Sequence, residues 1–283
     1  ELSNGGDLSR VPNLIYKKGT DFVLSNFHSI EKLDELPCPD FDGLPLTKYN
    51  TSSGNRISLT FETSRECYWN KCVYCVDLPH PKQGYRVKEP NLVVRDMKNL
   101  LEKYPLKELI ISDPAMSPNQ MRGISREIIK ENLKVSWWCF ARLDKHFTKD
   151  IFELAQKAGC RAVAFGMETV NQRLLDFLQK GVNIDTAKRV LNDCHDAGLG
   201  VDLQIMIGLP TETTQEALET ITFLVDNRKL IQQVTFNIYY LTPGCLVYED
   251  PVRYGIIPQN DPLPFQFFIE FSKNGNSISK KEG

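Results

Sequence analysis

From residue 57 onward the chain alternates between two hydrophobic rhythms. Short apolar runs rich in Val, Ile, Leu and Phe occur at 57–61, 109–111, 135–140, 162–165, 201–207 and 234–240. Short apolar runs bounded by turn residues suit strands buried on both faces. Between them apolar residues recur every three or four positions, predicting helices at 91–104, 118–132, 149–158, 172–179, 185–196 and 214–227. In the first helix Val93, Met97, Leu100 and Leu101 share one face. Asp113-Pro114 is expected to end the second strand, and Gly198 to close the fifth helix. Strand alternating with helix implies right-handed crossovers and a parallel sheet. Six such strands fit a barrel or an open part-barrel better than a doubly wound sheet, although spacing alone leaves that choice open. In either barrel form, chemistry belongs at the C-terminal ends of the strands.

Ahead of residue 57 the alternation is absent. Asn13-Leu14-Ile15-Tyr16 and Phe22-Val23-Leu24 flank Lys18-Gly19, the signature of a short hairpin. Leu36-Pro37-Cys38-Pro39-Asp40 through Leu44-Pro45-Leu46 reads as an extended proline-rich linker. Past the last strand, 265–271 is aromatic and apolar, suited to covering a barrel mouth or to packing as a helix, and 272–283 is polar and expected to fray. The expected organisation is a hairpin and linker at 1–54, a barrel at 55–257, and a partly disordered C-terminal segment at 258–283.

Composition narrows the class. A net charge of −2 over 283 residues gives no electrostatic reason to expect nucleic acid or an anionic membrane as partner. No apolar run approaches the roughly 20 residues that span a bilayer, and the polar N-terminus carries no secretory signal. A soluble, cytoplasmic protein is the expectation. The chain starts at Glu1 and not at methionine, which reads as a processed product or a piece of a longer chain. Its eight cysteines are too sparse for a disulfide-stapled module.

Three of those cysteines are clustered. Cys67, Cys72 and Cys75 follow the first strand directly, in Glu66-Cys67-Tyr68-Trp69-Asn70-Lys71-Cys72-Val73-Tyr74-Cys75. An electron-transfer iron–sulfur cluster takes four thiolates. Three would leave one iron open to a substrate. The alternative is a zinc tetrahedron of Cys67, Cys72, Cys75 and His80. A thioredoxin-type reading of Cys72-Val73-Tyr74-Cys75 fits less well, because those motifs lack a third nearby cysteine. Cysteines 38, 139, 160 and 194 read as small buried hydrophobes. Cys245, in Thr242-Pro243-Gly244-Cys245 just past the last strand, stays a candidate catalytic residue.

With its aromatic Tyr74 ahead of the third cysteine, the segment resembles the signature loop of the radical S-adenosylmethionine (SAM) superfamily. The first gap has four residues where the usual signature has three, as in some branches that include ribosomal-peptide maturases. Further resemblances follow in order. Ser112-Asp113-Pro114 stands where the family binds the methionyl amino group, and Arg142, in Ala141-Arg142-Leu143-Asp144, where it meets the carboxylate. Phe165-Gly166-Met167-Glu168-Thr169 is similar to the motif whose Glu binds the ribose, and Lys180-Gly181 fits the same pattern. Ile207-Gly208-Leu209 in Met206-Ile207-Gly208-Leu209-Pro210-Thr211-Glu212 resembles the segment that packs on adenine through its backbone. Leu241-Thr242-Pro243-Gly244 is similar to the close of the barrel. The resemblance covers about 55–257.

It implies a parallel (β/α)6 partial TIM barrel of the radical SAM type. It also implies a [4Fe-4S] cluster on Cys67, Cys72 and Cys75, with SAM on the open iron. Reductive cleavage of SAM would give a 5′-deoxyadenosyl radical that takes hydrogen from a small-molecule or peptide substrate, with electrons from a flavodoxin- or ferredoxin-like donor. The segments 11–19 and 36–41 resemble the linker that follows a cobalamin-binding domain, which this chain lacks. That points to a cobalamin-dependent methyltransferase or peptide maturase, against which stand a cobalamin-independent radical SAM enzyme and a non-catalytic zinc protein. Taken singly, each motif has a plainer meaning. Glu168 is then a strand-end carboxylate, Gly208-Leu209-Pro210 a turn, Arg142 a partner for Asp144, and Trp69, Trp137 and Trp138 core or pocket wall. His28, His80, His146 and His195 are isolated and suggest no catalytic base.

Overall fold

The computed structural model describes residues 7–26, 32–48, 57–76, 84–258, 269 and 271–273. His28, His80, most of 265–271 and nearly all of the polar tail lie outside the described residues. The predicted hairpin is present as β1 (Ile15–Lys18) and β2 (Asp21–Leu24), paired antiparallel. The proline-rich segment is tied down. The Phe41 N–H donates to the Tyr104 hydroxyl at 2.8 Å, the two rings meet edge to face, and Lys103 pairs with Asp40 and Asp42.

The barrel begins with β3 (Ser58–Phe61), followed by the two-residue strands β4 (Ser64–Arg65) and β5 (Arg86–Val87). Then come α1 (Pro90–Lys103), β6 (Glu108–Met116), α2 (Pro118–Lys130), β7 (Trp137–Arg142), α3 (Lys149–Lys157) and β8 (Cys160–Glu168). They are followed by α4 (Gln172–Phe177), α5 (Ile184–Asp196), β9 (Gly200–Ile207), α6 (Thr214–Asp226) and β10 (Gln233–Ile238). Six strands form one parallel sheet in the order β10-β9-β8-β7-β6-β3. Each strand is laid beside its predecessor, and β3 and β10 end the sheet without pairing to each other, so the architecture is a half-barrel, as expected. A short α7 (Leu246–Glu249) and the antiparallel pair β11 (Ile256–Pro258) and β12 (Phe271–Lys273) complete the described chain. Ile269 bridges Leu241, so the described part of the C-terminal segment is extended and not helical. Among the described residues no helix is long and apolar enough to cross a membrane.

Alternation along the strands sorts the two faces. Val201, Leu203 and Ile205 of β9, with Val163 and Phe165 of β8, are fully buried against the helices. The opposite face is the barrel interior, and on β8 it carries only Ala162, Ala164 and Gly166 before Glu168. Two strand ends differ from the sequence reading. β6 does not stop at Asp113-Pro114 but runs to Met116, with its register against β7 broken between Ile111 and Met116. Pro114 has no N–H to give a ladder, so the strand bulges past it. β8 extends to Glu168, which is left-handed at φ 67 behind a register shift after Gly166.

Candidate functional site

The cysteine loop is anchored at its base before any metal is considered. Asp113 accepts from the Thr63 N–H (2.6 Å), the Thr63 hydroxyl (2.6 Å) and the Ser64 N–H (3.0 Å), and β4 pairs with β5 across the loop. Glu66 and Asn70 turn the chain through positive φ. Val73, fully buried, donates its N–H to the Leu178 carbonyl and accepts from the Val247 N–H, each at 3.1 Å. Cys67, Cys72 and Cys75 then line one cavity of about 400 Å³ at the C-terminal ends of the strands.

Among the described residues, no three His, Cys, Asp or Glu side chains converge tightly enough to hold a single metal ion. A zinc tetrahedron needs its sulfurs about 2.3 Å from one point. An iron–sulfur cluster takes each thiolate on a different iron, so its ligands stand around a larger body. Arg142 supplies a second test of fit. It is buried, donates from Nη1 to Cys72 Sγ at 3.6 Å, and bonds the Lys180 carbonyl. Its Nε is buried without a partner, and no carboxylate among the described residues pairs with it; Asp144 turns instead to His146. An uncompensated buried cation is costly. An anionic cluster or a ligand carboxylate in the cavity would compensate it.

Trp69 connects the cysteine loop to the turn after α4. Its Nε1–H donates to the Gln179 carbonyl at 2.8 Å, and both Lys71 Nζ (5.0 Å from the ring centroid) and the Arg142 guanidinium (4.8 Å) stand over its ring. The ring packs onto Gly181, at φ 66, where a Cβ would fall 1.9 Å from Trp69 Cζ2. Next to it, Glu168 Oε1 accepts from Lys180 Nζ (2.6 Å) and from the Tyr74 hydroxyl (3.1 Å), and Lys180 also donates to Tyr74 (3.0 Å). Burial, then the nearby Glu168 charge, pushes the Tyr74 hydroxyl well above its ordinary value. Glu168 Oε2 makes no hydrogen bond to the described residues. Gly166 keeps the pair possible, since a Cβ there would stand 2.8 Å from Glu168 Oε1.

Cys67, Cys72, Tyr74, Cys75, Ser112, Asp113, Arg142, Glu168 and Lys180 therefore share one cavity. Ser112 donates to the Phe61 carbonyl at 3.3 Å, and Asp113, its acidity weakened by burial, is occupied as a brace. Ile207, Gly208 and Leu209 do not line the cavity. The Gly208 and Leu209 N–H groups donate to Glu212 at 2.6 and 3.1 Å, the Ile207 carbonyl accepts from Tyr239, and Leu209 is buried in a separate apolar cluster. Cys245 sits in that same cluster, away from the cavity, with its thiol pKa raised by burial. Trp137 is core. Met206, the first residue of the adenine-type motif, lines the cavity, as do Gln204 and Asn237, which sequence reading missed. The available signal was Asp202 and Gln204 in period-two step inside an otherwise apolar strand.

Residues 61–224 match the family model of the radical SAM superfamily. The chain is 29% identical over 252 residues to an uncharacterized methyltransferase of Pyrococcus horikoshii, covering 88% of this chain and 53% of that one. It is 28% identical over 194 residues to an anaerobic magnesium-protoporphyrin IX monomethyl ester cyclase of Rubrivivax gelatinosus, covering 68% and 34%. This chain thus spans about half or less of the length of these relatives. The solved radical SAM methyltransferase TsrM of Kitasatospora setae, with cobalamin and a [4Fe-4S] cluster bound, shares the fold. Its TM-score is 0.69 at 17% identity, over 93% of this chain and 56% of that one. With the family match running over more than half of the 283 residues, and three cysteines at the rim of a six-strand parallel half-barrel, the chain belongs to the radical SAM superfamily.

Proposed function

We propose that this chain is the catalytic half-barrel of a cobalamin-dependent radical SAM methyltransferase, with a small molecule or a peptide as substrate. The observation that carries the reading is the convergence of Cys67, Cys72 and Cys75 on one cavity, beside a buried Arg142 that has no carboxylate partner. When bound, the cluster and SAM would supply one-electron cleavage of a sulfonium bond, and cobalamin a methyl carrier.

The protein's own residues orient and shield. Cys67, Cys72 and Cys75 are the cluster ligands, and Arg142 provides positive charge at Cys72. Glu168 offers its free oxygen to a ribose hydroxyl, with Lys180 and Tyr74 fixing the carboxylate. Ser112 faces the cavity beside the cluster loop. The backbone around Gly208 supports the wall indirectly, since Glu212 takes its N–H groups. A small flavin or iron–sulfur protein is the proposed electron donor.

A second reading, radical oxidation or cyclisation without methyl transfer, is favoured by the similarity to the cyclase relative. The full-length protein, purified anaerobically, separates the two. Corrinoid in the protein and label passing from methyl-labelled SAM to substrate support the first. Deoxyadenosine formation without label transfer supports the second.

A further inference from the structure

The cavity has two unlike halves. Every charged side chain that lines it stands on the cysteine side, and each is engaged: Asp113 with Thr63 and Ser64, Glu168 with Lys180, Arg142 with Cys72. The Glu168–Lys180 pair marks the boundary. It lies over Gly166, where a Cβ would stand 2.8 Å from Glu168 Oε1 and 3.1 Å from Lys180 Nζ. Across the sheet, Gly166 is matched to Arg142 on β7 and to Gln204 on β9.

Beyond that boundary the lining is neutral: Phe140, Ala164, Gln204, Met206 and Asn237. Phe140 pairs in register with Ala164 and Met206 with Asn237, while Gln204 stands two residues before Met206 on the same face of β9. Phe140 is backed edge to face by Trp138, with ring centroids 5.1 Å apart. The polar side chains here are those of Gln204 and Asn237, and neither makes a hydrogen bond to the described residues. β10 is the edge of the sheet and Asn237 is exposed on it, so this half of the cavity is open to the outside of the half-barrel.

An apolar pocket with a few convergent polar groups orients its ligand through those groups. Each carboxamide offers an acceptor oxygen and an NH2 donor and carries no charge. Two of them suit a ligand group that is itself neutral and that both gives and accepts hydrogen bonds, as an amide does. A carboxylate or ammonium held here would lose hydration without meeting a counter-charge, because Glu168 and Lys180 neutralise each other at 2.6 Å.

We infer that Gln204 and Asn237 form a substrate subsite on the β9–β10 side of the cavity, selective for a neutral amide (a peptide bond or a terminal carboxamide) carried on an aromatic or apolar body that packs on Phe140 and Met206. This rests on the proposed function and names the substrate class for that same site.

The test uses full-length, cluster-loaded protein with SAM present, and probes that share a phenylethyl body: 3-phenylpropanamide, N-methyl-3-phenylpropanamide, 4-phenylbutan-2-one, 3-phenylpropanoate and 3-phenylpropylamine. Calorimetric titration of wild type should show an amide binding about tenfold tighter than the ketone, which lacks the donor, and than either charged probe. The order of the two amides tells a terminal carboxamide from a peptide bond. Gln204→Leu and Asn237→Leu should each cut the amide preference to about threefold, and the double variant should remove it. Gln204→Glu, which puts a negative charge where the amide stood, should turn the preference toward the amine. Iron content and SAM affinity stay as in wild type throughout. Equal binding of all probes by a wild type that holds iron and responds to SAM, or binding of none, overturns the inference alone. So does an amide preference that survives the double variant, and so does a loss of SAM affinity in either leucine variant, which would assign these amides to the cofactor. Amide preference in a protein that holds no iron and ignores SAM would leave the subsite standing and remove the functional reading instead.

Discussion

Replacing Gly181 by alanine tests the link between the cysteine loop and the Glu168 wall. The residue stands at φ 66, where an L side chain costs roughly 1–2 kcal/mol. Its new Cβ would lie 1.9 Å from Trp69 Cζ2 and 2.2 Å from Cη2, far inside carbon contact distance, so the indole must leave its place. Leaving breaks the 2.8 Å bond to the Gln179 carbonyl, worth about 1 kcal/mol. It also removes two cation–ring contacts, the exposed one to Lys71 and the buried one to Arg142, together worth about 1–2 kcal/mol. The summed loss is roughly 3–5 kcal/mol, a large share of a typical folding free energy of about 5–15 kcal/mol. Denaturant unfolding of wild type and Gly181→Ala at matched iron content measures it, and tryptophan emission reports whether the ring has moved to water. In a Trp69→Leu background the same change should cost only the backbone part, about 1–2 kcal/mol. A Gly181→Ala protein within about 0.5 kcal/mol of wild type, with unshifted emission, would refute the packing argument.

Other predictions follow from the same geometry. Substituting Cys67, Cys72 or Cys75 by alanine should abolish cluster iron, whereas Cys245→Ala should keep full iron content and lose only packing, about 1–2 kcal/mol, as read by iron analysis and unfolding. Asp113→Ala removes the acceptor for three hydrogen bonds at the base of the loop, so stability should fall by about 2–4 kcal/mol and cluster reconstitution should slow or fail. Asp202 has a raised folded-state pKa, so its contribution to stability is complete below the ordinary carboxylate range and is lost as pH rises through the folded value. The stability of Asp202→Asn relative to wild type should therefore rise as pH goes from below the ordinary carboxylate range to neutral, and a pH-independent difference would contradict the raised pKa.

Much of the scaffold was legible because it depends on rhythm. Short continuous apolar runs alternating with helices of period three to four give six parallel strands, and Cys67, Cys72 and Cys75 can only fall on one loop. What sequence could not supply were hydrogen-bond partners. Asp113 matched a ligand-binding position, but the fold uses its carboxylate to brace Thr63 and Ser64. The Gly208 and Leu209 N–H groups matched a cofactor-packing motif, but Glu212, four and three residues downstream, reaches back to take them. Strand ends were misjudged where tertiary contacts override local signals, as at the Pro114 bulge and at left-handed Glu168. Gln204 and Asn237 carry no motif, and only the alternation of their strands places them in the cavity.

The central claim is that three cysteines hold a four-iron cluster with one iron open to SAM. Anaerobic iron and zinc analysis of reconstituted protein, with the electron paramagnetic resonance spectrum of the reduced form recorded with and without SAM, tests it most directly. The account predicts about four irons per chain and a spectrum that SAM alters. One zinc, no iron and no response to SAM would contradict it.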